Sequence, residues 1–220
     1  MDIRIAIAQM NSIVGDYQQN TKKIKKYIRQ ACNNHADIIL FPEMCVNGYP
    51  PEDLLLKTQF LNDSLKSIKD VKDFTEDKDI VIILGAVECD EYYNIYNSAQ
   101  IIFKGNLLGK YKKRLLSSFS FFDERRYFNP SDILTLIELN GSKIGITIGN
   151  EICFPNSSLY SAVNNETDLI LNLSASVFYK NKINSIHNIL KARALELSSW
   201  VVYCNMVGGQ DELVFDGGSM

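Results

Sequence analysis

Short apolar runs alternate along this chain with segments that have the period of an α-helix. The runs IRIAIAQ (3–9) and ADIILFP (36–42) predict strands, and the second is apolar on both faces, as is typical of a central strand. Between them, apolar residues from Ile24 to Cys32 recur at helical spacing with lysines in between, which predicts an amphipathic helix over residues 21–33. The chain therefore begins as an α/β protein.

A second helix and three closely spaced strands are predicted next. Apolar residues at helical spacing indicate a helix over residues 52–71. The apolar runs at 80–87, 95–103 and 107–113 are separated by turns that contain Gly and Asn. Because connections this short join antiparallel strands, we expect these three strands to be antiparallel neighbours. The sheet would then differ from a purely doubly wound one.

The remaining residues continue the α/β pattern. The strands ILTLIEL and KIGITI are joined by NGS, which is typical of a β-hairpin. The further elements predicted are a short helix over 157–164, a strand over 168–176, a helix over 182–199 and a strand over 200–207. Residues 1–220 are thus predicted to form one domain of about nine strands and four helices. Since the terminal FDGGSM resembles the start of another strand, we expect a truncated chain or one part of a longer polypeptide.

Composition and charge narrow the kind of protein. The net charge of −3 argues against nucleic acid as the main partner. No apolar run reaches the roughly 18 residues that span a bilayer, and the N-terminus lacks the features of a signal peptide. The five cysteines and two histidines have no metal-ligand spacing, so no metal site is predicted. We expect a soluble cytoplasmic protein with reduced thiols and no membrane partner.

Three predicted strands end in residues that suit amide hydrolysis, namely Glu43, Lys113 and Gly149. Ligands bind at the carboxyl ends of strands in α/β folds, so these ends are expected to meet. Glu43 would be a general base, Lys113 would stabilise an oxyanion, and the turn at Gly149 would hold a nucleophile. Structural alternatives stay open, because such a glutamate is more often a helix-end or surface carboxylate. The run KYKKR is likewise typical of a solvated face.

Five stretches of the sequence resemble those of one enzyme superfamily. They are IAIAQMNSIVGDYQQN, ADIILFPEMCVNGYPPEDLLL, GKYKKRLLSSFSFFDERRYFNP, LILNLSASVF and KARALELSSWVVYCNMVGGQDELVFDGGS. Together they resemble the nitrilase (carbon–nitrogen hydrolase) superfamily, and more narrowly the N-terminal glutaminase domain of glutamine-dependent NAD+ synthetases. The resemblance covers nearly all 220 residues. It implies a nitrilase-like four-layer α-β-β-α sandwich, whose C-terminal strands are expected to be missing from this chain.

The resemblance also implies roles for individual residues. Glu43 matches the catalytic general base, Lys113 matches the lysine that stabilises the tetrahedral intermediate, and Glu124 matches an auxiliary carboxylate. The positions expected to contact the substrate are Tyr49, Asn150, Ser176 and Lys182. The implied partners are glutamine or another small carboxamide, an ATP-using NAD+ synthetase domain and further copies of the chain. No cofactor is expected in this domain.

The position of the nucleophile departs from the family. The motif that carries the family's cysteine reads IGNEICFP over 148–155, and KIG before it and FP after it fix the register without a gap. Gly149 therefore occupies the place of the catalytic cysteine, and Asn150 replaces the family's glutamate. A glycine is free to take the positive φ that is common at such elbows, whereas a residue with a Cβ is strained there. We expect a preserved fold without the thiol that thioester formation needs.

Two other cysteines are close to these motifs in sequence. Cys153 is four residues beyond Gly149, and aligning it with the family's cysteine would need a gap, so we expect its sulfur to lie far from the pocket. Cys45 is two residues beyond Glu43, where the family has no nucleophile. Both are predicted to be small buried hydrophobic residues.

Three interpretations follow from the missing nucleophile. The chain could derive from an active amidase in which the cysteine was replaced by design or by an error in the sequence. In either case it would be the glutaminase module of an amidase of the NAD+ synthetase type. It could be a degenerate, non-catalytic scaffold of an ammonia-dependent NAD+ synthetase system. It could also be a domain that binds a small carboxamide through Glu43 and Lys113 without converting it. Gly149 favours the second and third interpretations.

Overall fold

The computed structural model describes residues 2–118, 122–154 and 167–220. Its helices and strands are β1 (Ile5–Ile7), α1 (Tyr17–Asn33), β2 (Ile38–Leu40), α2 (Thr58–Phe74), β3 (Val81–Cys89), β4 (Ile95–Phe103), β5 (Asn106–Lys112), β6 (Leu136–Leu139), β7 (Ser142–Ile148), β8 (Leu169–Ser174), α3 (Lys182–Leu197), β9 (Trp200–Asn205), β10 (Val207–Gln210) and β11 (Leu213–Asp216). Short 3₁₀ helices are formed by Glu52–Leu56, Glu124–Arg126 and Gly149–Cys153. The predicted order of elements is confirmed within these ranges.

The strands form two sheets and a separate hairpin. The first sheet has the order β1-β2-β3-β4-β5, with β1, β2 and β3 parallel and β4 and β5 antiparallel to their neighbours. This confirms the three antiparallel neighbours expected from the sequence. The second sheet has the order β6-β7-β8-β9, in which β6 and β7 are antiparallel and β7, β8 and β9 are parallel. Strands β10 and β11 pair only with each other in the described part of the chain.

Alternating side chains divide the core between the two faces of the first sheet. Ile39 and Ile82 pack in one cluster with α1 and α2, whereas Ile38 and Ile83 pack in another with β7, β8 and β9. This alternation follows from the two-residue period of a strand. A strand buried on both faces must be apolar throughout, as ADIILF is.

The far face of the second sheet is covered by α3. Ile170 of β8 and Tyr203 of β9 pack with Ile186 and Leu190 of α3. The layers are therefore helix, sheet, sheet and helix, which confirms the predicted four-layer sandwich. None of the helices in the described ranges is long and apolar enough to cross a membrane.

Local signals explain several element boundaries. The carboxylate of Asp16 caps α1 by accepting a hydrogen bond from the backbone N–H of Gln19 at 3.1 Å. The hairpin between β6 and β7 turns at Asn140 and Gly141, which both have positive φ, 52° and 80°. A two-residue turn with positive φ at both positions matches the twist of the flanking strands, so the predicted NGS hairpin is confirmed.

Two predicted elements differ from the structure, and a third lies outside the described residues. The helix predicted over 52–71 is split, because Lys57 is extended between a 3₁₀ helix and α2. The strand predicted over 200–207 ends at Asn205, and the chain then forms the unpredicted hairpin β10–β11. The last residue, Met220, exchanges two backbone hydrogen bonds with Tyr203 beside β9. The helix predicted over 157–164 lies outside the described residues.

Candidate active site

The ends of β2, β5, β7 and β8 meet at one cavity of about 430 Å³. Seven of the eight residues predicted for the site line it, namely Glu43, Tyr49, Lys113, Glu124, Gly149, Asn150 and Ser176. The structure therefore brings together residues that are as much as 133 positions apart, from Glu43 to Ser176. The expectation that these strand ends converge is confirmed.

One ammonium lies between two carboxylates at the base of the cavity. Lys113 Nζ is 2.9 Å from Glu43 Oε1 and 2.7 Å from Glu124 Oε1. The side chains of Lys113, Glu43 and Glu124 are only 3%, 3% and 1% exposed. Charges removed from water to this degree are stable only when each has a close partner of opposite sign. The helix-end, surface-carboxylate and solvated-face alternatives for Glu43 and Lys113 are therefore wrong.

Neutral donors complete the hydrogen bonding of the two carboxylates. Asn97 Nδ2 donates to Glu43 Oε1 at 2.7 Å and lies 3.2 Å from Glu124 Oε1. The backbone N–H of Ala175 donates to Glu43 Oε2 at 3.1 Å, and that of Ser117 donates to Glu124 Oε2 at 2.8 Å. Each carboxylate is thus held in one orientation. Asn97 was absent from the predicted site, although a polar residue within the buried strand IYNSAQIIF is the signal that marks it.

The buried, charged surroundings raise the pKa values of both Glu43 and Lys113. Burial raises the pKa of Glu43, opposed by the Lys113 ammonium and reinforced by the Glu124 charge. A raised pKa brings a carboxylate closer to the range of an effective general base. Burial lowers the pKa of Lys113, but Glu43 and Glu124 outweigh it, so the net pKa is raised. Lys113 therefore stays charged at neutral pH and can stabilise an oxyanion.

The elbow after β7 places Gly149 beside this cluster. Gly149 has a φ of +59°, the positive value expected for an elbow. A Cβ at this position would lie 2.7 Å from Lys113 Nζ and 2.9 Å from Glu43 Oε2. The base and the ammonium are thus directed at the point where a nucleophilic side chain would begin. The site holds a buried carboxylate and a buried ammonium beside position 149, which supplies no side-chain nucleophile.

A third buried carboxylate, Glu151, joins the elbow to the segment after β5. One of its oxygens accepts from the backbone N–H of Arg114 at 2.7 Å, and the other accepts from that of Ile148 at 2.7 Å. The hydroxyl of Tyr111 is 3.0 Å from both oxygens. Burial raises the pKa of Glu151, while the backbone hydrogen bonds lower it in part. The sequence analysis did not single out Glu151, although its place directly after a buried strand was a signal.

The predicted substrate-contacting residues divide into two groups. Tyr49, Asn150 and Ser176 line the cavity, and Tyr49 packs edge-on against the rings of Phe122 and Phe215. Lys182 does not line it. The Lys182 ammonium donates to the Ser176 carbonyl at 2.6 Å and to Asp216 Oδ1 at 2.6 Å. The structure therefore places Lys182 behind the wall of the cavity, where it supports Ser176.

The two cysteines near the motifs are both unsuited to nucleophilic attack. Cys153 lines the cavity, so the expectation that its sulfur lies far from the pocket is wrong; the short helix Gly149–Cys153 turns it back. Burial raises the pKa of the Cys153 thiol, although Arg193 lowers it in part. Cys45 is buried, and its Sγ donates to the Gly85 carbonyl at 3.3 Å. Burial raises its pKa as well, and a thiol of raised pKa is a poor source of thiolate.

No group of three or more His, Cys, Asp or Glu side chains that could hold a metal ion occurs in the described part of the chain. The residues that line the cavity supply a buried carboxylate base, an ammonium and an elbow at the ends of sandwich strands. A carboxylate and an ammonium in this arrangement suit the hydrolysis of a carbon–nitrogen bond in an amide, but the nucleophile is missing.

The chain belongs to the carbon–nitrogen hydrolase family, whose family model matches residues 4–220. The glutamine-dependent NAD(+) synthetase of Thermotoga maritima is 38% identical over 219 residues. That of Aquifex aeolicus is 38% identical over 218 residues. Each match covers 99% of this chain, but the chain spans only 38% of the length of either relative.

Solved structures of related proteins also resemble this chain. The glutamine-dependent NAD+ synthetase from Acinetobacter baumannii, in complex with ADP, matches with a TM-score of 0.92 and 36% identity. This match covers 99% of the present chain and 40% of that protein. An amidase from Nesterenkonia sp. matches with a TM-score of 0.87 at 23% identity, over 99% of the present chain and 81% of the amidase. The second likeness supports the shared fold alone.

Proposed function

We propose that this chain is a glutaminase-type domain of a glutamine-dependent NAD+ synthetase system, and that it binds the carboxamide of glutamine without hydrolysing it. Its relatives at 38% identity are glutamine-dependent NAD(+) synthetases. Glu43 and Lys113 provide a base and an oxyanion stabiliser in the cavity. The partner would be an ATP-using synthetase domain, on the same chain or another, and copies of the domain would assemble in the cytoplasm.

The observation that carries the proposal is the geometry at Gly149. A carbonyl oxygen of a bound carboxamide would accept from the Lys113 ammonium, which lies 2.7 Å from the Cβ position of residue 149. In thiol amidases the base takes the thiol proton, the thiolate attacks the carbonyl carbon, and a thioester forms as the carbon–nitrogen bond breaks and the proton passes to the departing ammonia. With glycine at this position, the carbonyl carbon meets no sulfur. Binding is therefore retained and the covalent step is lost.

The test is ammonia release from glutamine by the unmodified chain, by Gly149→Cys and by Gly149→Ala. We expect no release by the unmodified chain or the alanine variant, and release by the cysteine variant at least about a thousandfold above both. The alanine variant is the matched control, because it adds a Cβ without a thiol. Because this Cβ would lie close to Lys113 Nζ and Glu43 Oε2, the alanine variant also controls for any displacement of these two groups. Substantial turnover by the unmodified chain would contradict the proposal.

A second candidate function is a degenerate scaffold that binds no carboxamide. The direct ion pair between Lys113 and Glu43 favours it, because a ligand must compete with Glu43 for the ammonium. Calorimetric titration of the unmodified chain with glutamine separates the two candidates. Saturable binding that is lost in Lys113→Met supports the carboxamide-binding domain, whereas no binding by either protein supports the scaffold.

A further inference from the structure

A second cavity lies next to the candidate active site. Its volume is about 540 Å³, and it shares two lining residues with the first cavity, Ser117 and Asn150. We call it the arginine cavity, because both Arg114 and Arg125 line it. Neither the amide chemistry of the first cavity nor the missing nucleophile accounts for two guanidinium groups here.

The guanidinium of Arg114 has unused hydrogen-bonding capacity. Its Nε and Nη1 atoms are buried and have no hydrogen-bond partner among the described residues. Its backbone is fixed, because the N–H donates to Glu151 at 2.7 Å. Buried donors are nearly always paired, since an unpaired one loses its bonds to water without replacement. Since Arg114 also lines the cavity, a small turn of its guanidinium would expose these unpaired donors to a ligand there.

The remaining lining defines the chemistry of such a ligand. None of the described residues that line the arginine cavity is acidic, so no carboxylate of the described ranges lies on its wall with the two cations. Apolar side chains form much of the rest of the wall, including Leu115, Phe128 and Pro130. The planar guanidinium fork matches the two oxygens of a carboxylate or a phosphate. The apolar wall suits a hydrocarbon portion attached to that anion.

We propose that the arginine cavity is a second binding site, for a small organic anion whose carboxylate or phosphate is held by Arg114 and Arg125. The buried Oδ1 of Asn150, which also has no partner in the described part of the chain, is an acceptor for a hydroxyl or amino group of the ligand. The site is independent of thioester chemistry at position 149. It holds an anion whether or not the first cavity binds a carboxamide.

The test is calorimetric titration of the unmodified chain with butyrate and with inorganic phosphate, at constant ionic strength set with chloride. We expect saturable binding of at least one anion and a loss of about tenfold or more in affinity in Arg114→Met, which removes charge-assisted hydrogen bonds. Arg114→Lys keeps the charge but lacks the fork, so its affinity should fall between those of the unmodified chain and Arg114→Met. Preference for butyrate identifies a carboxylate site, and preference for phosphate identifies a phosphate site.

The matched control is Arg126→Gln. Arg126 is next to Arg125 in sequence and pairs with Asp53 at 3.2 Å, but it does not line the cavity. This variant removes the same charge and should bind the anion as the unmodified chain does. If Arg114→Met does not fold, Arg125→Gln replaces it, because Arg125 is exposed, and a severalfold loss is expected. The proposal is overturned if Arg114→Met or Arg125→Gln binds the anion with the same affinity as Arg126→Gln. It is also overturned if butyrate and phosphate show no binding beyond the effect of chloride.

Discussion

Two parts of the site face the same cavity: the cluster of Glu43, Lys113 and Glu124, and the elbow at Gly149. The stability of the fold depends on these two parts differently. The cluster consists of buried charges that stabilise one another, so the loss of one member leaves another unpaired. The nucleophile position has no such partners, and a side chain there is strained by its positive φ. Catalytic competence can therefore disappear at position 149 while the surrounding site stays intact.

The largest effect is expected from Lys113→Met. This change leaves Glu43 and Glu124 buried without a cation, and it should lower the free energy of unfolding by about 3–5 kcal/mol. Urea unfolding followed by circular dichroism measures it. Lys112→Met is the control, because the Lys112 ammonium is 3.7 Å from Glu88 at a less buried site. A cost below about 1 kcal/mol, the range of surface ion pairs, would show that the cluster does not support the fold.

A smaller effect is expected from Glu151→Gln. The amide keeps one acceptor oxygen but places an NH₂ group against a backbone donor, so the loss should be about 1–3 kcal/mol. The same unfolding measurement applies, with Glu138→Gln as the control on the exposed side of β6. Equal stabilities of the two variants would mean that Glu151 does not join the elbow to the segment after β5.

Substitution at the elbow itself should cost less still. Gly149→Ala places a Cβ at a φ of +59° and should lower the free energy of unfolding by about 1–2 kcal/mol. Gly145→Ala, in the preceding strand β7, is the matched control, because its Cβ would make only an ordinary contact, 3.5 Å from Thr167. If Gly149→Ala and Gly145→Ala are equally stable, a side chain at the elbow is not strained. The contrast between the elbow and the cluster of buried charges is then wrong.

The smallest expected effect is in the pH dependence of stability. Burial raises the folded-state pKa of Glu43 above its unfolded value of about 4.3. Above that value the unfolded chain releases a proton that the folded chain still holds, so stability falls as the pH rises towards the folded pKa. Glu43→Gln removes this component. Unfolding free energies between about pH 4 and 7 should therefore decline less in the variant, and identical slopes would contradict the raised pKa.

The order of strands and helices could be predicted because the two leave different periods in the apolar pattern, whereas the four-layer sandwich was implied by the resemblance to the nitrilase superfamily. Glu43 and Lys113 could be predicted because each follows a strand within a motif. Asn97 and Glu151 each left a signal in the sequence, but their roles could not be assigned from it, because they depend on contacts with residues 54 and 36 or more positions away. The position of Cys153 was predicted wrongly, because a separation of four residues from Gly149 was assumed to mean a large distance in space. The short helix Gly149–Cys153 instead turns Cys153 back towards the cavity. The hairpin β10–β11 was missed because Gly208 and Gly209 interrupt the alternation of its apolar residues.

The hairpin β10–β11 has a consequence for the order in which the site forms during synthesis. Phe215 packs against Tyr49, and Asp216 binds the Lys182 ammonium that supports Ser176. Two walls of the cavity thus depend on residues made about 170 positions after Glu43. On the ribosome, the first sheet can assemble while the cavity still lacks its closing side. The pocket becomes able to select a ligand only when this late segment has emerged and docked.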